Sequence, residues 1–246
     1  TEDGVSTHAD PPQTPNRPPS ARLVGLGGAE PFEAVSLQSD TLREYIEWIA
    51  YLDADDAVPV GGSILDLGCG NGIPTARLLA QRYRVTGVDI APAQIALAQR
   101  LVPQAQFVCA DMSDVEFAPE SFDAVLCLYA IVHVPLDRQP DLFRRIGTWL
   151  KPGGAFLATV GVEAWTGVET DSPEVPGGKL LWSHADATMY QHWLAQAGLV
   201  ILWQRYVRDT QGGLALLYAS RGPRKSLALD PASVRTPSES DADDDD

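Results

Sequence analysis

Three cysteines in 246 residues leave no room for a disulfide framework. Cys69, Cys109 and Cys127 are odd in number, and none lies at metal-ligand spacing from another. They read as reduced, buried thiols of a reducing compartment. Cys127 stands between Leu126 and Leu128, which offer no charge to activate it as a nucleophile. Bases are scarce as well: 18 Lys and Arg face 33 Asp and Glu, a formal net charge of −15. Such a body repels polyanions, which argues against nucleic acid as a partner. No apolar run is long enough to span a bilayer, and no basic-then-apolar leader opens the sequence. The expectation is a soluble, cytoplasmic protein with no membrane partner; the oligomeric state stays open.

Hydrophobic residues make up 45% of the chain, enough for one sizeable core. Residues 1–22, with Pro11-Pro12 and Pro18-Pro19, read as a disordered leader. Residues 223–246 end in Asp241-Ala-Asp-Asp-Asp-Asp246 and read as a disordered acidic tail. The segment 23–222 between them is predicted to be a single domain.

Within it strands and helices alternate. An amphipathic helix is predicted over Ser39–Leu52, with Leu42, Tyr45, Ile46 and Ile49 on one face. Strands are predicted at Ser63–Leu67, Arg84–Val88, Gln106–Ala110, Phe122–Leu128 and Ala155–Val160. Helices are predicted from Pro74, over Pro92–Leu101 and near Gln139–Leu150, the last halted by Lys151-Pro-Gly-Gly154. Residues 161–184 read as a long loop containing Trp165 and Trp182. A helix comes next over Asp186–Ala197, then strands at Leu199–Val207 and Leu214–Ser220. The short link between the last two strands requires an antiparallel pair, whereas helical crossovers require parallel ones. The expected fold class is α/β: a doubly wound, mostly parallel seven-stranded sheet with one antiparallel strand.

The chemistry concentrates at Ser63-Ile-Leu-Asp-Leu-Gly-Cys-Gly-Asn-Gly72. An apolar strand ends in an acid and opens into three alternate glycines, and Asp89 ends the next apolar run. Glycines permit close backbone approach of a ligand, and a carboxylate at a strand end can accept two ribose hydroxyls. The dinucleotide pattern G-x-G-x-x-G is not met: the third glycine comes one residue early, and Ile73 stands where Gly or Ala is needed. Asp66, two residues before Gly68, would repel a pyrophosphate but favour a cationic amine.

At these residues the chain resembles the class I S-adenosylmethionine-dependent methyltransferases. The resemblance spans roughly residues 40–220. It rests on Asp66-Leu-Gly-Cys-Gly-Asn-Gly72, Val88-Asp89, Ala110-Asp-Met112, Ser121-Phe-Asp-Ala-Val-Leu126 and Lys151-Pro-Gly-Gly154, in the family's order. It implies a Rossmann-like fold and S-adenosylmethionine as cofactor. By resemblance Asp66 and the Gly68–Gly72 backbone hold the methionine part, Asp89 takes the ribose hydroxyls, and Asp111 with the Met112 backbone contacts adenine. Cys69 and Asn71 in the loop, Ile90 after Asp89 and Leu128 at the fourth strand's end are counted with the same site.

Ligands of open α/β sheets bind beyond the carboxyl ends of the strands. The stretch Leu128-Tyr-Ala-Ile-Val-His-Val-Pro135 should therefore face the transferred group. Tyr129 and His133 are its polar candidates, and His184 in Trp182-Ser-His-Ala-Asp186 is a third. A histidine near neutral pKa can take a proton from an attacking hydroxyl or amine. Each also has a purely structural reading: His133 as a packing residue, Tyr129 as core, His184 at a helix start with Asp186 as a first-turn charge. Trp165 and Trp182 either wall an aromatic substrate or pack the loop down. His192 is placed on a helix surface.

Residues just past the fourth strand narrow the substrate. The Asn/Asp-Pro-Pro-aromatic run of amino-directed nucleic-acid enzymes is replaced by Leu128-Tyr-Ala-Ile131, no Pro-Cys nucleophile is present, and no acid stands there to hold Mg²⁺. The expectation is a metal-independent transferase that methylates an O or N atom of a small, natural-product-like molecule. The alternative is a cyclase or isomerase of the same fold that keeps its cofactor unchanged.

Overall fold

Alternation of apolar strands and amphipathic helices yields the expected layered arrangement. The computed structural model describes residues 46–52, 58–170, 179–207 and 213–222. The predicted leader, the acidic tail, the turn residues 209–212 and the first part of the Ser39–Leu52 helix lie outside the described residues.

In chain order the elements are α1 (46–52), β1 (Ser63–Leu67), α2 (Thr75–Leu79), β2 (Arg84–Asp89), α3 (Pro92–Leu101), β3 (Gln106–Cys109) and β4 (Phe122–Cys127). A single 3₁₀ turn (Ile131–His133) leads to α4 (Gln139–Trp149) and β5 (Leu150–Gly161). Then come β6 (Trp165–Thr170), β7 (Lys179–His184), α5 (Ala187–Gln196), β8 (Leu199–Tyr206) and β9 (Leu214–Arg221).

Seven strands form one sheet in the order β3-β2-β1-β4-β5-β9-β8. Pairs from β3 to β5 are parallel, and β9 runs antiparallel to both β5 and β8. The sheet is thus mostly parallel with one reversed strand. Strand order steps outward in one direction from β1 and in the other from β4. The carboxyl ends of β1 and β4 therefore flank the topological switch point, where such sheets leave a crevice.

All six residues of β4 are buried, as a central strand covered on both faces requires. Helix α4 buries Leu142, Phe143, Ile146 and Trp149, a 3.6-residue stripe, against the sheet. Phe143 meets Phe156 of β5 edge-on with centroids 6.1 Å apart. Each such side chain removed from water contributes roughly 1.5–3 kcal/mol. At the opposite end of the sheet from the switch point, the Asp123 carboxylate accepts from Ser63 N and Lys151 Nζ, both at 2.8 Å. Asp186 caps α5, its Oδ1 accepting from Met189 N at 2.8 Å.

Three expectations are corrected. Within the segment 161–184, expected as a loop, β6 and β7 pair in register as antiparallel strands, forming a two-stranded sheet of their own. Lys151-Pro-Gly-Gly154 lies inside β5, which begins at Leu150, rather than separating α4 from it. Cys109 is exposed, because β3 is the edge strand, whereas Cys69 and Cys127 are buried as expected. Among the described residues no helix is long and apolar enough to cross a membrane.

Candidate active site

The acid-and-glycine loop forms because β1 ends at the sheet's centre and its chain must turn sharply into α2. Gly68, Gly70 and Gly72 all take positive φ, at 75°, 55° and 79°. Only glycine adopts that conformation without strain. At Gly68 the need is also steric: a Cβ there would lie 2.3 Å from the Ala130 Cβ and 3.4 Å from Met112 Cε. The loops after β1, β3 and β4 thus meet at one backbone position.

Asp89, at the end of β2, braces the loop. Its Oδ2 accepts from Gly70 N and its Oδ1 from Ala91 N, each at 2.9 Å. An ionised carboxylate offers about four acceptor sites, so roughly two remain for ligand hydroxyls. Asp66 is the opposite case. It is 3% exposed, and its Oδ2 is buried with no hydrogen-bond partner. Burial, with the neighbouring Asp89 charge second, pushes its carboxyl up to about 7. A buried, unpaired acceptor at the rim of a glycine cradle matches a cationic amine.

Other residues expected at this site divide. Cys69 turns its sulfur toward Gly87 of β2, where an added Cβ would lie 2.8 Å from it. Burial, then the Asp66 charge, pushes that thiol far up, so it stays protonated. Asn71 uses Oδ1 on Ile73 N at 3.0 Å, an Asx turn within the loop. Ile90 is 65% exposed just beyond Asp89. Leu128 is buried in the core. Asp111 accepts from Ser113 N at 2.8 Å and from Arg138 Nη1 at 3.2 Å, while the other Arg138 nitrogen pairs with Asp114.

The second group of residues begins where Ala130 packs on Gly68. Tyr129 holds a left-handed backbone, φ 54°, uncommon for a bulky residue. Its N–H donates to the buried Thr159 Oγ at 2.5 Å. Its ring faces Trp48 of α1 at 5.8 Å. Helix α1 is itself clamped by Arg205, which donates to Tyr51 Oη at 2.8 Å and stacks over the Tyr51 and Trp203 rings.

His133 closes the 3₁₀ turn. Its Nδ1 lies 2.6 Å from the Leu181 carbonyl of β7, and a carbonyl can only accept. The Nδ1–H tautomer is thereby fixed, which leaves Nε2 as a bare lone pair. That Nε2 is buried and has no hydrogen-bond partner. Burial lowers the imidazole to about 4, so it is neutral near pH 7. Trp182 packs against its ring at 4.5 Å. His184 lies elsewhere on β7, across Gly161, with Nδ1 donating to the Glu163 carbonyl at 2.7 Å. Trp165, at the start of β6, covers both Trp182 and His184 at 6.5 and 5.9 Å. His192 is exposed.

Two residues here escaped the sequence reading. Thr159 looked like any polar interruption of a strand. Gln139 opens α4, a place where a polar residue is usually solvated, yet it is fully buried and bonded on both ends of its amide. Its proximity to Pro140 in a predicted first turn was the sole local sign, and that marks the helix start rather than burial.

Fold and site together define a domain of the doubly wound α/β class, with an acid-flanked glycine loop at the switch point. Residues 64–154 match the family model described as a methyltransferase domain. Over this stretch the chain is similar to S-adenosylmethionine-dependent methyltransferases. It is 33% identical over 124 residues to a ubiquinone biosynthesis O-methyltransferase of Pseudomonas savastanoi pv. phaseolicola, covering 47% of this chain and 50% of that protein. The chain thus spans about half the length of the curated relatives it matches. The solved structure of a SAM-dependent methyltransferase from Methanosarcina mazei aligns with a TM-score of 0.59 at 20% identity, over 69% of this chain and 96% of that one. The cyclase SpnF aligns with a TM-score of 0.57 at 19% identity, over 72% and 80%. At such identities these structures establish the fold alone, and the fold serves both chemistries.

Proposed function

We propose that this protein moves a methyl group from S-adenosylmethionine to an oxygen of a small, hydroxyl-bearing acceptor, with His133 as the general base. When bound, the cofactor supplies an electrophilic methyl on a sulfonium sulfur. The residues present fit that molecule. Asp66 offers an unpaired buried acceptor for its α-amino group. The three positive-φ glycines admit its backbone-hugging portion. Asp89 keeps free acceptor capacity for ribose hydroxyls. The Met112 side chain approaches the loop at Gly68.

One observation carries the catalytic reading: the Leu181 carbonyl fixes the His133 tautomer and leaves Nε2 unpartnered. A bare, neutral imidazole nitrogen is what a hydroxyl needs in order to lose its proton as it attacks. Trp182 packs against the His133 ring and Trp165 covers Trp182, an aromatic neighbourhood that suits an apolar or aromatic acceptor. His184 donates from Nδ1 to the Glu163 carbonyl and packs across Gly161 of β5. A small-molecule acceptor also fits the −15 net charge, which disfavours nucleic acid. The free thiols at Cys69, Cys109 and Cys127 support a reducing, cytoplasmic location.

Methyl-labelled S-adenosylmethionine with a panel of phenols and aliphatic alcohols tests the reading. Label is expected in an ether product, with kcat reduced roughly 100-fold or more in His133→Asn. Acceptor turnover with the cofactor unconsumed would sink it in favour of a cyclase or isomerase.

A further inference from the structure

The β6–β7 pair has no backbone ladder to the seven-stranded sheet. Yet it carries the Leu181 carbonyl that fixes the His133 tautomer. In water, neutral imidazole prefers its proton on Nε2, so this carbonyl must be held in place for Nε2 to stay bare. Side-chain ties therefore have to anchor β7 to the turn that bears His133.

Gln139 makes that tie. Its Nε2 lies 3.1 Å from the Ile131 carbonyl and 2.8 Å from the Val134 carbonyl, one on each side of His133 in the 3₁₀ turn. The same nitrogen lies 2.6 Å from the Ser183 carbonyl, two residues along β7 from Leu181. Two amide protons are shared among three carbonyls. The amide's other end accepts from Tyr190 Oη of α5 at 3.0 Å. The three carbonyls fix which way the amide faces, since only the nitrogen can donate to them, and the hydroxyl then donates to the amide oxygen. Burying an amide is costly unless it is fully bonded. An apolar residue would fill the same space without that penalty, but it would leave three carbonyls in the interior without this donor.

We propose that Gln139 is a positioning residue for His133: its amide locks the His133 turn to β7, so that the Leu181 carbonyl holds the imidazole in the Nδ1–H form. This rests on the reading of His133 as the base, but its structural half can be measured without turnover. The Trp182 ring against His133 supplies the apolar part of the same contact.

The experiment uses the full chain labelled with ¹⁵N and long-range proton–nitrogen spectra of the imidazoles at pH 7. His133 is assigned by the signal lost in His133→Asn. The native protein should show His133 protonated on Nδ1 and bare on Nε2. Gln139→Met keeps volume and removes both donors. It should move His133 toward the Nε2–H form and lower kcat roughly 10- to 100-fold, with the Kd for S-adenosylhomocysteine unchanged. Tyr190→Phe removes the bond to the amide oxygen and loosens the amide without removing its donors, and should shift the tautomer in the same direction to a smaller extent. It stands in if Gln139→Met does not fold. A folded Gln139→Met, or Tyr190→Phe in its place, that keeps the Nδ1–H form overturns the proposal. A shifted tautomer with unchanged kcat supports the positioning role and overturns the base assignment of His133 instead.

Discussion

Asp66→Asn separates a carboxylate kept for a cationic ligand from one kept for the fold. In the protein alone, burial and then Asp89 push the Asp66 carboxyl from 3.8 to about 7. At pH 7 roughly half the molecules carry a proton there. An ammonium group at Oδ2 holds the side chain ionised, so the bound state binds fewer protons than the free one. Binding at pH 7 should therefore release about half a proton per ligand. Calorimetry with S-adenosylhomocysteine in phosphate and in Tris reads this directly, as the slope of observed heat against buffer ionisation enthalpy. In Asp66→Asn the slope should vanish. A hydrogen bond to a charged group is worth about 2–3 kcal/mol, so Kd should weaken roughly 30- to 150-fold. Stability should move the other way. The folded-state pKa lies above the unfolded value, so the cost of burying the charge is absent below pH 3.8. That cost grows between 3.8 and about 7 and is complete above it. At pH 8 Asp66→Asn should stabilise the ligand-free protein by up to about 4 kcal/mol, seen as a raised Tm. A native protein that binds with no proton release at pH 7, or an Asn variant that binds as tightly, would refute the reasoning.

The same geometry sets three further outcomes. His133 is lowered by burial from 6.5 to about 4, so stability is present above pH 6.5 and is lost as pH falls toward 4. Urea denaturation should show the native protein losing about 2 kcal/mol more than His133→Asn between pH 7 and pH 5. Gly68→Ala must fit a methyl group against Ala130 at φ 75°. It should cost roughly 1 kcal/mol or more in denaturant midpoint and abolish S-adenosylhomocysteine binding in the same calorimetry. Trp182 is 1% exposed and Trp165 36%. Trp182→Ala should destabilise the fold by about 3–5 kcal/mol, while Trp165→Ala should leave Tm within a few degrees and raise the acceptor KM.

The parallel core was legible because its strands carry short apolar runs, and β1 stops before a glycine while β2 ends at an acid. The glycine loop was legible for a related reason: positive φ at Gly68, Gly70 and Gly72 leaves a mark in residue type. The β6–β7 pairing was missed although Leu180, Trp182 and His184 alternate as one buried face. Three such positions are a weak signal, and the partner strand lies beyond Pro173, Pro176 and Gly177-Gly178. Cys109 sat in an apolar pattern, but only the strand order made β3 an edge.

Local chemistry thus dictated which residues turn, which extend and which acid stands beside the glycines, since those choices depend on neighbours a few positions away. Which carbonyl fixes His133, and which amide holds that carbonyl in place, was decided by contacts across 48 and 44 residues of chain. A buried glutamine and a solvated one have the same letter. Only the closing of β7 over the turn after β4 removes the water that would otherwise satisfy Gln139, and so turns an ordinary polar side chain into a tie between two elements.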